Sequence, residues 1–181
     1  MSQPSPTASL TLRPSTDADL PFIQAIYARA VLEGTGTFET EVPDVEEMGR
    51  RRTEVLGRHL PWLVAERGGE VLGYAYANYF RPRLAYRFCV EDSIYLAPAA
   101  QGQGIGRLLL AELMARCEAA GARQILAVIG DANNAGSVGV HSALGFQHTG
   151  VLKSAGWKFG RWLDVMLMQR PLGLGDSAAA E

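Results

Sequence analysis

Three glycines fall within the six residues Gln101–Gly106, between the alternating stretch Ser93-Ile94-Tyr95-Leu96 and a run of strong helix formers, Leu108-Leu109-Leu110-Ala111-Glu112-Leu113-Met114. This junction restricts the fold more than any other segment. The alternation predicts a strand, which Pro98 ends because proline has no N–H to donate to a ladder. Glycines then stand where the helix begins. The first turn of a helix has N–H groups without partners and carries about half a unit of positive charge, and glycine lets an anion approach those groups closely. The sequence therefore predicts a strand, a tight loop and a helix N-terminus that holds a phosphate.

Spacing narrows the choice of phosphate. A P-loop needs Gly-Lys-Ser/Thr at the helix start, where this chain has Gly-Ile-Gly-Arg. A dinucleotide fingerprint begun by Gly102 and Gly104 fails because position 107 is arginine and no strand-end acid follows about twenty residues on. The pattern that fits is Gln-x-x-Gly-x-Gly, met by Gln101, Gly104 and Gly106.

The 181 residues suit one domain, read as 9–172, with loose ends at 1–8 and 173–181. An apolar fraction of 48%, a charged fraction of 20% and a net charge of −2 are ordinary for a globular protein and supply no basic field for nucleic acid. Cys89 and Cys117 match no metal spacing, and with three histidines in the chain no metal site is expected. The N-terminus lacks a basic region followed by an apolar run, and no segment of about eighteen apolar residues occurs. A cytoplasmic protein without membrane contact is the expectation.

Leu10–Arg13 alternates as a first strand, and Leu20, Ile23, Ile26, Tyr27, Ala30 and Val31 recur at three and four as an amphipathic helix. Pro43-Asp44 caps a second, charged helix running to about Leu60. Three antiparallel strands are expected at Trp62–Glu66, Val71–Phe80 and Arg87–Leu96, the first two joined at Gly68-Gly69. Ile105, Leu109, Leu113 and Cys117 mark the buried face of the helix Gly104–Ala120. Gln124–Ile129 reads as a strand buried on both faces, Asp131–Asn134 as the cap of a helix through Leu144, and Gly145-Phe146 and Gly156-Trp157 as entries to two final strands. The order predicts an α/β (α+β) domain with a mixed, mostly antiparallel central sheet and about four flanking helices.

The Gln-x-x-Gly-x-Gly loop and this element order resemble the GNAT superfamily of N-acetyltransferases. Further stretches resemble one branch, the phosphinothricin and methionine sulfone/sulfoximine N-acetyltransferases. They are Thr37-Phe38-Glu39, Tyr86-Arg87, Val90–Tyr95, Ala127–Gly130, Asn134, His141–Phe146 and, most specific, Gly156–Val165 with its Lys-Phe-Gly-Arg-Trp run. Some members carry histidines within Lys158–Asp164, where this chain has Phe159 and Leu163.

The resemblance implies acetyl-CoA as co-substrate, a small-molecule amine as acceptor, direct attack in a ternary complex and a homodimer, without a metal. It implies that Ser93, Ile94, Tyr95 and Leu96 pair with the pantetheine arm. Gln101, Gly102, Gln103, Gly104, Ile105, Gly106 and Arg107 would take the pyrophosphate, and Asn134 the arm from the other side. Glu91 is by position equally a solvated strand-end carboxylate; the resemblance makes it the base that deprotonates the amine. Such a base matters most at low pH, where few amines are neutral on their own. His141 is by itself a packed helix histidine; the resemblance, in which many relatives outside this branch place a tyrosine near the sulfur seven residues after the position of Asn134, implies instead a proton donor to the thiolate or a relay of the amine's proton. Phe38, Phe80, Arg81, Tyr86, Arg87, Val90 and Glu91 are the expected acceptor pocket, where arginines would grip an acidic group with paired hydrogen bonds. Acetylation of a polyamine or a protein N-terminus is an alternative within the class. A CoA-binding sensor is one outside it, and would need neither Glu91 nor His141.

Overall fold

In the computed structural model, which describes residues 8–180, these periodicities become a seven-stranded sheet flanked by helices. The expected loose segment 1–8 lies outside the described residues apart from Ala8. In chain order the elements are β1 (Leu10–Pro14), α1 (Leu20–Glu33), α2 (Val45–Gly57), β2 (Trp62–Arg67), β3 (Glu70–Tyr79), β4 (Cys89–Leu96), α3 (Ile105–Ala119), β5 (Gln124–Gly130), α4 (Ala135–Ala143), β6 (Gln147–Lys158) and β7 (Arg161–Pro171). The expected mixed sheet with four helices is the one that forms. No helix among the described residues is long and apolar enough to cross a membrane.

The sheet runs β1-β2-β3-β4-β5-β7-β6. Every neighbouring pair is antiparallel except β4 and β5, which are parallel and therefore need a crossover, supplied by α3. The anticipated face of α3 is the buried one: Ile105, Leu109, Leu110, Leu113, Met114 and Cys117 join the core. On α1 the buried residues are Ile23, Tyr27 and Val31, and an aromatic row of Trp62, Tyr76, Tyr74 and Tyr95 lies on the sheet, with Tyr27 edge-on to Tyr95 at 5.0 Å.

The parallel pairing is short. It joins Cys89–Asp92 to Gln124–Ala127 and then stops, although β4 continues to Leu96 against β3 and β5 continues to Gly130 against β7. The sheet splits there into two arms. This split corrects one expectation, that β5 is buried on both faces: Ile125, Ala127 and Ile129 are buried, but Leu126 and Val128 are only half-buried because the arms have parted beside them.

The second correction concerns the last two strands. Gly156-Trp157 does not begin a strand; it lies inside β6, opposite Leu163 and Trp162 of β7. The turn is Phe159-Gly160, with φ of 53° and 71°, the pair of positive values that a two-residue hairpin turn requires. Gly156 is glycine for a different reason, since a Cβ there would fall 2.1 Å from the Phe38 ring.

Candidate active site

The split between β4 and β5 opens a cleft of about 680 Å³, bordered by α1, the loop that follows it, both strand arms and α4. Strand alternation decides what lines it. Phe80 and Ala97 donate their N–H groups across the β3–β4 ladder, so odd-numbered residues of β4 spend their backbone on β3, and even-numbered ones face β5. Beyond Asp92, where β5 has moved away, the N–H and C=O of Ile94 and Leu96 face the open gap. Ser93 and Tyr95 are committed to β3.

Side chains alternate the other way. Glu91 shares a face with Tyr95, which packs on Tyr27 of α1, whereas Asp92 points to the opposite face and reaches α4. Burial pushes the Glu91 carboxyl up to about 7, helped by the neighbouring Asp92 charge and opposed by Arg81. Such a group takes up and releases a proton near neutral pH. Asp92 and His141 form a sealed pair, each side chain 2% exposed, with His141 Nε2 3.0 Å from Asp92 Oδ2. His141 Nδ1 donates to the Ser137 carbonyl at 2.7 Å, and a carbonyl can only accept. Both ring nitrogens thus face acceptors, which calls for the doubly protonated ring. Burial lowers the His141 pKa, but the Asp92 hydrogen bond and charge, with the Ser137 carbonyl, outweigh it and the net shift is upward. Asp92 Oδ1 is buried without a partner.

Next to the cleft, which Gln101 lines, the glycine loop has the form of an anion cradle. Gly102 and Gly104 have φ of 73° and 76°, and a Cβ on either would meet open space. Gly104 precedes α3 with no side-chain cap, which leaves the N–H groups of the first turn without a partner from a capping side chain. Gly106 is glycine for packing, since a Cβ there would lie 3.3 Å from Leu96 and 3.7 Å from Val140. Ile105 is a core side chain and offers only its backbone. Gln103 braces the loop by donating to the Ala99 carbonyl at 2.6 Å and accepting from Arg67 at 3.0 Å. Arg107 is exposed, and Gln101 lines the cleft. Asn134 accepts from Ser137 N and so caps α4, while its side-chain amide lies beside Gly36.

The residues expected to form the acceptor pocket are not all brought together. Phe38 and Glu91 line the cleft. Phe80, Arg81, Tyr86 and Arg87 belong to the segment joining β3 to β4, outside the cleft wall; Phe80 stacks edge-on with Tyr86 at 5.8 Å, and Arg81 and Arg87 lie over Phe80 and Phe88. Of these, Arg81 is close enough to act on the Glu91 charge. Val90 is fully buried, so its side chain is closed to an acceptor; it is a core residue.

Comparison with known proteins places this geometry. A model of the acetyltransferase (GNAT) family matches residues 23–146. Phosphinothricin N-acetyltransferase of Alcaligenes faecalis is 56% identical, over 94% of this chain and 87% of the relative. An L-methionine sulfoximine/L-methionine sulfone acetyltransferase of Pseudomonas aeruginosa is 38% identical over 89% of this chain and 94% of its own. The crystal structure of a GNAT superfamily phosphinothricin acetyltransferase from Sinorhizobium meliloti in complex with AcCoA superposes with a TM-score of 0.92 at 50% identity, covering 95% of this chain and 93% of that one.

Asp92 was missed by the sequence reading. It sits beside Glu91 in a quoted stretch, but its partner lies 49 residues away and no spacing joins them. The pair makes a sharp prediction. Asp92→Asn keeps the shape and can donate to Nε2, but removes the charge and the acceptor that hold the second proton. The raised His141 pKa should then drop below its ordinary value, because burial is the cause left in command, and His141 should be neutral at pH 7. Histidine NMR titration of wild type and variant checks this, since His59 and His148 are exposed and give separate reference signals.

Proposed function

The chain belongs to the acetyltransferase (GNAT) family and is an acetyl-CoA-dependent N-acetyltransferase, and from that premise we propose that its acceptor is the amine of a small amino-acid-like compound of the phosphinothricin, methionine sulfoximine or methionine sulfone type. The observation that carries the reading is a carboxyl raised to about 7 in the wall of a cleft that Gln101, the first residue of the anion-cradle loop, also lines. The residues present fit the coenzyme. The first-turn amides of α3 and those of Gly102 and Gln103 suit its pyrophosphate, and the free backbone groups of Ile94 and Leu96 suit the amides of its pantetheine arm. When bound there, acetyl-CoA supplies a thioester carbonyl open to attack.

Glu91 accepts the proton that the ammonium form of the acceptor must lose before its nitrogen can form the new amide bond and the carbon–sulfur bond can break. His141, with Nε2 and Nδ1 both engaged, has no free ring nitrogen to protonate the departing thiolate. Its contribution in this reading is a fixed positive charge, held by Asp92, beside the gap where negative charge collects. Arg81, whose charge reaches Glu91, favours an acceptor that carries an acidic group.

We also propose a homodimer built on β6 and β7. The edge strand β6 is twelve residues long and almost wholly exposed, and Trp157, Phe159 and Trp162 are each more than half exposed at its end. A long edge with aromatic residues is a surface that needs covering.

The test of the acceptor is a screen of amino-acid analogues, polyamines and peptide N-termini with thiol release as the readout; acidic amino-acid analogues should lead and polyamines trail. For the base, the raised pKa sets the sign: the carboxylate exists above about pH 7 and is lost below it. Wild-type kcat/KM should therefore fall below about pH 7 and be level above. In Glu91→Gln the limb should move up to the amine's own pKa, about 8, with a loss of about tenfold below pH 7 that vanishes as the pH rises past 8. Light scattering at micromolar concentration should give twice the chain mass, and Trp162→Arg should halve it.

A further inference from the structure

The chemistry above leaves unused two charged residues of the Lys-Phe-Gly-Arg-Trp run. Lys158 is 4% exposed, and among the described residues its hydrogen-bond partners are carbonyls, not carboxylates. Its Nζ donates to the Gly34 carbonyl at 2.8 Å and to the Thr37 carbonyl at 2.9 Å, 124 and 121 residues earlier in the chain. Arg161 Nη2 donates to Asp131 Oδ2 at 2.9 Å, and that same oxygen accepts the Thr35 hydroxyl at 3.1 Å. Three residues of the loop after α1 are thus held from the turn between β6 and β7. The fit is close: a Cβ at Gly130 would lie 2.5 Å from the Thr35 carbonyl and 2.9 Å from the Phe38 ring, and one at Gly156 would lie 2.1 Å from the same ring.

This arrangement is a poor device for stability alone. Burying an ammonium against two carbonyls, with Glu39 near enough to act on its charge but not bonded to it, gives up its hydration chiefly for neutral acceptors, and burial holds its pKa below the ordinary value. A methionine would fill a similar space with no such loss. The turn that aims Lys158 and Arg161 also places Phe159 at a left-handed φ of 53°, which is strained for a bulky residue. What the cost secures is the placement of one loop. Thr37 bonds to Tyr27, which packs on Tyr95, so the loop lies on the α1 face of the sheet, where Glu91 also points, and Phe38 lines the cleft there.

We propose that the β6–β7 turn is a clamp on the acceptor side of the cleft, with Lys158 and Arg161 as positioning residues that fix the Thr35–Phe38 loop and so determine which acceptors fit. Neither residue lines the cleft itself. The proposal rests on the reading that the acceptor enters on the Glu91 face. It separates the two substrates: the acceptor wall is set from the hairpin, the coenzyme cradle from α3.

The test uses the purified full-length chain carrying Lys158→Met or Arg161→Gln. Three quantities are measured: KM and kcat for the acceptor that wild type uses, the acetyl-CoA dissociation constant without acceptor, and hydrogen exchange of the amides of residues 34–38. Each variant should raise acceptor KM by about tenfold or more, through a displaced wall, with acetyl-CoA affinity within twofold of wild type and faster exchange in the loop. Acceptor KM within twofold in both variants overturns the clamp, and so does equal weakening of acetyl-CoA, which a merely structural role would produce. Should Lys158→Met not fold, Arg161→Gln decides alone, since Arg161 is half exposed. If wild type acetylates no compound in the screen, the acceptor reading is what fails, and the clamp stands or falls on loop exchange: faster in the variants supports it, unchanged refutes it.

Discussion

Four residue pairs of parallel ladder, from Cys89 opposite Gln124 to Asp92 opposite Ala127, hold the two arms of the sheet together, and everything that performs chemistry stands at or just beyond their end. A parallel pair that continued would satisfy every backbone group and leave a closed sheet. By stopping, it frees the N–H and C=O groups of Ile94 and Leu96, which would be costly if they were buried without partners. The cleft keeps them open to solvent or to a ligand with amides of its own. The split is therefore both the hole in the core and the source of its recognition groups. The aromatic row from Trp62 to Tyr27 and the α3 face of Leu109, Leu113 and Cys117 back the β2–β4 arm where it no longer has β5 beside it.

The same boundary sorts two adjacent carboxyls into different states. Glu91 and Asp92 are successive on one strand, so they leave it on opposite faces. Asp92 meets the buried imidazole of His141 and is paired; Glu91 meets the half-open cleft and is not. Burial and the neighbouring negative charge then raise Glu91, while Asp92 is bonded to a ring that has acceptors at both nitrogens. Two neighbours with opposite environments yield one carboxyl poised near neutral pH at the cleft and one tied up in a buried pair.

Much of this was legible in the sequence, and the part that was not has a common cause. The glycine loop, the α3 face and the candidate base are local patterns: a residue type at a fixed offset within about twenty positions. The left-handed glycines of the loop, the buried face of α3 and the strand-borne place of Glu91 beside the cleft are found where those patterns put them. Val90 was misassigned because a residue next to Glu91 looks equally near a substrate in sequence, whereas alternation turns its side chain into the core. The arginine-rich segment from Phe80 to Arg87 was read as a pocket from its composition, but its side chains pack on one another and only Arg81 influences the cleft. Gly156 looked like a strand entry because its reason for being glycine, the Phe38 ring, lies more than a hundred residues away in the chain.

The features that sequence could not supply share one physical character: each holds a charge or a stretch of backbone in a state that is unfavourable by itself. Lys158 is buried on carbonyls, Asp92 is buried with one oxygen unpartnered, and Asp131 and Phe159 hold left-handed backbone. None of these arises from propensity or hydrophobic pattern, and each weakens the domain taken by itself. A chain selected only to fold would replace them with apolar residues of similar volume. Their concentration around one cleft, in a structure otherwise consistent from strand alternation to helix face, is what distinguishes a functional constraint from a packing one. No single residue has to carry that distinction, because the buried ammonium and the Gly156 seat on the β6–β7 hairpin, Gly130 at the end of β5 and Asp131 just after it converge on the same four-residue loop.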